Sequence, residues 1–445
     1  MASVSIERRR VVAATTIGTA IEWYDFFLYA AVAGLVFNQL MFGPAGPGVA
    51  TVLAFLTVGL SFLFRPLGAF LAGHYSDRLG RRVVLMVTLF AMGGATMLIG
   101  LVPTYEAIGV WAPVLLVVLR IVQGISAGGE WGSAVLLAVE HAPHDQRGRF
   151  GAGPQVGAPA GLLMANGALA LMNWIAPGDA FLQWGWRVPF LFSIVLVVIG
   201  YLIRIGVDES PVYTEMARDQ VARHVPAHPI GALFSRHFPL VVAGALLFAA
   251  NGVAGYMMAG GYIQNYTTGT LGLERGPILL IVTASAAVWI LFTLVAGAWS
   301  DRIGRKNMFL IGFIVQALGV LALFPLVNSG DYLSILFALA FLSVGLGLTY
   351  GQTSATYAEL FPASVRGSGV SITYAIGSII GGAFAPMIAT WLVETTGSTA
   401  GVTAYLLVAS VIGFFTAALL RDRTGIPLGH EAEERQAQGH FVFSR

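Results

Sequence analysis

The chain of 445 residues has no cysteine, which excludes disulfides, zinc–thiolate sites and iron–sulfur clusters. It has a single lysine, Lys306, and that lysine follows Arg305. Without a Gly-Lys pair no P-loop can form, so an ATP-driven pump of that type is excluded within this chain. Charged residues make up only 10% of the sequence and the mean hydropathy is +0.78. Soluble domains carry about 25% charged residues, so a chain this long and this apolar reads as a polytopic membrane protein. All eight histidines fall in the polar segments between apolar runs, which argues against an intramembrane histidine proton carrier. With no cysteine, no intramembrane histidine and no H-E-x-x-H, a membrane-embedded hydrolase lacks its chemistry, and no metal or cofactor is expected. The net charge of +2 gives no reason to expect a nucleic-acid partner.

What the chain does have is repetition. Gly73-His74-Tyr75-Ser76-Asp77-Arg78-Leu79-Gly80-Arg81-Arg82 reads G-x-x-x-D-R-x-G-R-R. Gly297-Ala298-Trp299-Ser300-Asp301-Arg302-Ile303-Gly304-Arg305-Lys306 repeats it 224 residues later. A second pair, E-x-x-P-x-x-x-R-G, runs from Glu140 to Arg147-Gly148 and from Glu359 to Arg366-Gly367, at an offset of 219. Two motifs at nearly one offset imply two homologous halves.

A span needs about 20 apolar residues. Twelve runs qualify: 11–37, 49–73, 83–103, 113–139, 151–174, 187–205, 238–262, 277–299, 307–327, 332–355, 369–392 and 401–420. The expected fold is all-α, with twelve transmembrane helices in two pseudo-symmetric six-helix bundles. The boundaries are 1–205 for the first bundle, 206–237 for a cytosolic linker, 238–423 for the second bundle and 424–445 for an unstructured cytosolic tail. The first run is too long for a signal peptide and is read as a retained helix. Placing both termini in the cytosol puts 20 of the 24 basic residues on that side, which fixes the orientation.

In this topology both ten-residue motifs are short cytosolic turns between antiparallel neighbours. A positive-inside anchor explains their arginines but not Asp77 and Asp301. An acid there can sit against a helix N-terminus of the opposite half, where the dipole favours it. The expected gate comprises Gly73, Asp77, Arg78, Gly80, Arg81, Asp301, Arg302, Arg305, Glu140, Arg147, Glu359 and Arg366. Asp301 should meet the start of span five near Gly148, and Asp77 the start of span eleven near Gly367. Glu140–Arg147 and Glu359–Arg366 should lie beside them as charge partners.

Twelve spans, two six-span halves, the duplicated motif and a long central loop resemble the major facilitator superfamily over residues 10–425. Several segments are similar to its metabolite/proton symporter family. They are Glu22-Trp23-Tyr24-Asp25-Phe26-Phe27-Leu28-Tyr29, Arg65-Pro66-Leu67-Gly68, Arg120-Ile121-Val122-Gln123-Gly124 with Gly128-Gly129-Glu130, and Trp186-Arg187-Val188-Pro189-Phe190. That family takes up organic acids and zwitterions such as oxoglutarate, shikimate, citrate, proline and betaine. The resemblance, closest to shikimate-type members, implies proton symport. Osmosensing proline/betaine members carry a long coiled-coil tail; this chain shows none, so osmosensing is not implied.

Glu22, Asp25, Arg65, Arg120 and Glu130 lie well inside spans, each at a cost of about 2.5–3.5 kcal/mol on insertion scales. They are either a structural ion-pair network among spans one, two and four, or a proton and substrate site at the repeat interface. Asp25, Glu130 and Glu22 are the candidate proton carriers, in that order, because Asp25 falls nearest the midplane. Arg120 is the expected partner of the substrate carboxylate and Arg65 of Glu130. Tyr24, Gln123, Asn251, Gln352 and Tyr374 complete the expected binding residues. The reading is a monomeric proton-coupled symporter of the bacterial inner membrane, importing a small carboxylate or zwitterionic metabolite by alternating access. Its rivals are a proton-driven antiporter exporting amphiphiles and a channel.

Overall fold

The computed structural model describes residues 2–71, 81–128, 130–205, 229–259 and 261–442. Among them, eleven helices are long and apolar enough to cross a membrane: Val11–Leu40, Pro47–Leu71, Trp111–Glu140, Arg147–Ile175, Phe181–Leu202, Phe238–Thr270, Arg275–Ile303, Arg305–Val327, Tyr332–Leu360, Ala363–Thr396 and Ala400–Leu419. Met86–Leu101, the apolar part of the helix Arg81–Leu101, supplies the third span, giving the twelve expected from the sequence. Local chemistry sets several ends. Asp331 caps span ten by accepting the Ser334 amide at 2.8 Å. Gly304, at φ +91°, turns the chain between spans eight and nine, in a region that side chains resist.

Span one is wholly buried, and span five lies against it. Span five runs 29 residues despite Pro154 and Pro159. One glycine per turn lets it approach closely. A methyl group on Gly153, Gly157 or Gly161 would come within 2.5–2.6 Å of span one. Small residues do the work of hydrophobic burial here, because lipid gives apolar faces no reason to prefer protein. The other side of span five packs on span eight of the second half, where a methyl on Gly297 would reach Ala152 at 2.5 Å.

The molecule is shut at both ends. At the end far from the repeated motifs, span seven bends at Gly261, whose φ is +84°. The segment beyond it closes on the first half: Asn265 Nδ2 donates to Gly34 O at 2.7 Å and Gln264 Nε2 to Asn166 Oδ1 at 3.2 Å. Spans two and eleven meet where a methyl on Gly59 would reach Ala383 O at 2.5 Å. Gly261 also packs against the Ala30 carbonyl, leaving no room for a Cβ. Gly261→Ala is therefore expected to open this end. The left-handed backbone costs a side chain about 1–2 kcal/mol, or roughly a 5- to 30-fold shift in population. Maleimide labelling of Ala383→Cys, in a chain with no native thiol, reads the opening, and an unchanged rate refutes it.

Two segments depart from expectation. The linker expected at 206–237 lies largely outside the described residues, although Pro229–Arg236 is a short helix leading into span seven. The tail, expected to be unstructured, is docked over its described length. Arg147 Nη1 donates to Ile426 O at 2.5 Å, and Arg366 donates to Leu428 O at 2.9 Å and Gln436 Oε1 at 3.1 Å. Gln436 Oε1 also accepts the Ala363 amide at 2.7 Å. Phe441 pairs with Leu420 as an isolated antiparallel bridge. Polarity alone gave the wrong answer because the tail's partners are two arginines and a backbone amide of the two bundles, which no pattern within the tail reveals.

Candidate transport site

The five intramembrane charges separate into two groups. Arg65, on span two, pairs with Glu22 at 3.6 Å and donates to Tyr374 Oη at 3.1 Å. Tyr374 belongs to span eleven, so a carboxylate–guanidinium–phenol chain crosses from the first half to the second. The guanidinium sits 4.5 Å above the Phe62 ring, and Tyr374 stacks on Trp131 at 3.8 Å. All of these groups are buried. A cation held by one carboxylate, one hydroxyl and aromatic faces can exchange an acidic partner more readily than one locked by carbonyls.

Arg120 is such a locked cation. It donates to Thr57 O at 3.2 Å, Val58 O at 2.9 Å, Ser61 Oγ at 2.7 Å and Gln123 Oε1 at 2.9 Å. Its ring partner is Tyr29, at 4.1 Å. Gln123 continues to Thr96 Oγ1 at 2.7 Å. Asp25 lies at the end of this network, accepting from Ser193 Oγ at 2.9 Å with the Thr96 hydroxyl also in reach. Among the described residues no arginine pairs with Asp25. Arg120 and Gln123 of span four thus face spans two and three of their own half.

The remaining expected binding residues divide similarly. Tyr24 turns away from the centre to donate to Pro189 O at 2.8 Å. Gln352 Nε2 bonds the Leu348 carbonyl of its own helix at 3.0 Å. Asn251 donates to Thr349 Oγ1 at 2.7 Å and lines a cavity between the halves. Glu130 was expected beside Arg65; the acid that meets Arg65 here is Glu22, while the Glu130 carboxylate lies near Gly18 of span one. The central cavity measures about 20 Å³, room for one water.

At the motif end Asp301 accepts the Gly148 amide at 2.8 Å and the Arg149 amide at 2.9 Å. These are first-turn amides of span five, which belongs to the other half; the carboxylate satisfies two donors that a helix start leaves open. Arg305 holds Asp301 at 2.8 Å and Glu359 at 3.1 Å. The expected pairs Glu140–Arg147 and Glu359–Arg366 are exchanged. Arg147 meets Glu359 at 3.6 Å, and Arg366 meets Glu140 at 4.0 Å. Each arginine thus bonds the acid of the opposite copy, which turns two local pairs into links between halves. Arg302 is exposed. Gly73, Asp77, Arg78, Gly80 and the Arg81 side chain lie outside the described residues, as does the expected Asp77 contact near Gly367.

Comparison with known proteins decides the family. The Major Facilitator Superfamily family model matches residues 15–386 and again 252–443. The chain belongs to the major facilitator superfamily. Its relatives include the inner membrane metabolite transport protein YhjE of Escherichia coli (strain K12), 39% identical over 93% of both chains. The shikimate transporter of Escherichia coli (strain K12) is 38% identical over 94% of this chain and 96% of that one. The proline/betaine transporter of Escherichia coli (strain K12) is 32% identical, over 94% and 85% respectively. Among solved structures, the D-xylose-proton symporter shares the fold, with a TM-score of 0.73 at 18% identity over 94% of this chain and 98% of that one.

This facilitator is therefore a multi-pass membrane transporter of the secondary type and not an enzyme, as its sequence implied. Its centre holds residues that the sequence reading passed over. Trp23, Phe27, Phe248 and Trp289 line the cavity with Asn251, and so does Tyr256. The signal was span length. Span seven ends at Thr270 rather than 262, so Tyr256 lies near its middle. The stretch Tyr262–Thr270 is polar enough to pass for a loop, yet it is helical and carries the far-end contacts.

Proposed function

We propose that this transporter is a proton-coupled symporter that imports a small carboxylate-bearing metabolite by alternating access. Residues 1–205 and 238–423 are the two moving bodies, and the motif end faces the cytosol of a bacterium, with both termini there. The observation that carries the reading is the chain from Glu22 through Arg65 to Tyr374, which joins the halves through a cation whose acidic partner is replaceable. The substrate carboxylate takes Arg65 from Glu22 during the cycle. Asp25, buried among hydroxyls without an arginine, carries the proton. Arg120, expected from the sequence to bind substrate, instead holds spans two and four together. The names of the relatives, shikimate and proline/betaine transporters, support a small organic acid or zwitterion as substrate.

The test is uptake into proteoliposomes of a carboxylate and zwitterion panel, with and without an imposed proton gradient. Saturable uptake that rises with inward proton force is expected. Proton-driven efflux would make the protein an antiporter. Flux that neither saturates nor depends on protons would make it a channel.

A further inference from the structure

The segment that follows span twelve is rooted on the second bundle. Asp422 Oδ2 and Thr424 Oγ1 accept the Lys306 and Arg305 amides at 3.3 and 2.9 Å. Those are first-turn amides of span nine, which a helix start leaves open. The Gly425 amide then donates to Glu359 Oε1 at 3.2 Å. Gln436, buried, fastens the rest. Its Oε1 accepts from the Ala363 amide and from Arg366, and its Nε2 donates to the Pro427 and Gly429 carbonyls at 2.8 Å each. The His440 ring lies 3.1 Å from the Leu360 carbonyl. All of these partners belong to the second bundle or to the segment itself, so the tail travels with that bundle.

Two contacts cross to the first bundle. Arg147, at the start of span five, donates to the Ile426 carbonyl at 2.5 Å. A methyl on Gly425 would lie 3.1 Å from the ring of His144, in the loop between spans four and five. Across the interface the tail carbonyl is a nearer partner for Arg147 than Glu359, at 3.6 Å. Arg366 gives its three nitrogens to Ala358, Leu428 and Gln436, which leaves Glu140 of the first bundle at 4.0 Å. Ile426 and Leu428 are two residues apart, and two extended residues span about 7 Å. One short piece of chain therefore bonds an arginine of each bundle. Spans five and eleven cannot part without breaking the Arg147–Ile426 bond, unless the tail first leaves Arg366.

The docking is polar and shallow. Most of its bonds run to backbone groups, and Glu431, Glu434, Arg435, Ala437 and Gln438 stay exposed. Segments with few buried apolar contacts open at low free energy. We infer that the tail is a releasable latch on the motif end. Docked, it holds the first bundle through Arg147 and keeps that end shut. Displaced, it lets the end open more readily, while the ion pairs of Asp301, Arg305 and Glu359 remain in place. The closed state then has a control that depends on neither substrate nor proton.

The experiment is maleimide labelling of the full chain in lipid nanodiscs, with no substrate and no proton gradient, so its outcome is independent of the symport reading. Gln436→Leu keeps the bulk of the side chain, removes the tail's fastening and leaves the gate residues untouched. The reporter is Ser354→Cys, at a buried position of span ten beside Gly151 of span five. Its labelling is expected to accelerate about ten- to a hundredfold in Gln436→Leu, the worth of one hydrogen bond to a charged group. A chain ended after Gly425 should label at the same raised rate. Glu434→Gln, exposed on the same segment, should label at the parental rate. At the far end, Ala383→Cys should label no faster in Gln436→Leu than in the parent, which separates a released latch from a loosened fold. Parental labelling of Ser354→Cys in Gln436→Leu overturns the inference, as does acceleration at both ends in that variant.

Discussion

Asp25→Asn is expected to abolish uphill accumulation while leaving downhill exchange of substrate intact. Asparagine keeps an oxygen that can accept from Ser193 and mimics the protonated acid, so the local network survives. What disappears is the ability to pick up and release a proton. At about 150 mV, one proton per cycle supplies about 3.5 kcal/mol, or near 300-fold accumulation, and the variant should fall to unity. Glu22→Gln has a different expected result. It removes the acid that competes for Arg65, so substrate should bind more tightly while the proton gradient still drives uptake. Parental accumulation by Asp25→Asn, with its loss in Glu22→Gln, would exchange the two assignments.

Asp301→Asn should open the motif end. The carboxylate holds two amides of span five and one arginine, and an amide cannot supply the same charge or the same number of acceptors. A hydrogen bond to a charged group contributes about 1.5–3 kcal/mol, so losing even one shifts the closed population by roughly ten- to a hundredfold. Ser354, fully buried and packed against Gly151 of span five, is the place to read it. Labelling of Ser354→Cys should accelerate by that factor in Asp301→Asn. Arg302→Gln, one residue on and exposed, should leave the rate unchanged. Parental labelling in the Asp301 variant would reduce the motif to a charged anchor.

The spans were legible because their length and apolarity are physical requirements of crossing a bilayer. The Asp301 contact was legible because an acid repeated amid arginines needs a partner that anchoring does not provide. The centre was harder. Glu22 and Asp25 are three residues apart, which on a helix separates them by about 60°. That angle suffices to send Glu22 to Arg65 of span two and Asp25 to Ser193 of span six. Sequence likewise singled out Arg120 and Gln123 but could not say whether they face a ligand or the carbonyls of a neighbour. The exchange of partners between Glu140, Arg147, Glu359 and Arg366 follows from how the halves meet, which no single helix encodes.

The docked tail changes what the C-terminus of this protein is good for. Ile426 and Leu428 accept from Arg147 of the first half and Arg366 of the second, and Val442 donates to Leu419 at 2.9 Å. A purification tag or fluorescent reporter joined after Arg445 is separated from Val442 by only three residues. Its bulk and charge would bear on the strap that ties the two bundles, so a fusion made for convenience doubles as a perturbation of the resting state. The same geometry offers a use: a dye on the tail, paired with one on the first bundle, would report each separation of the halves without touching the transport path.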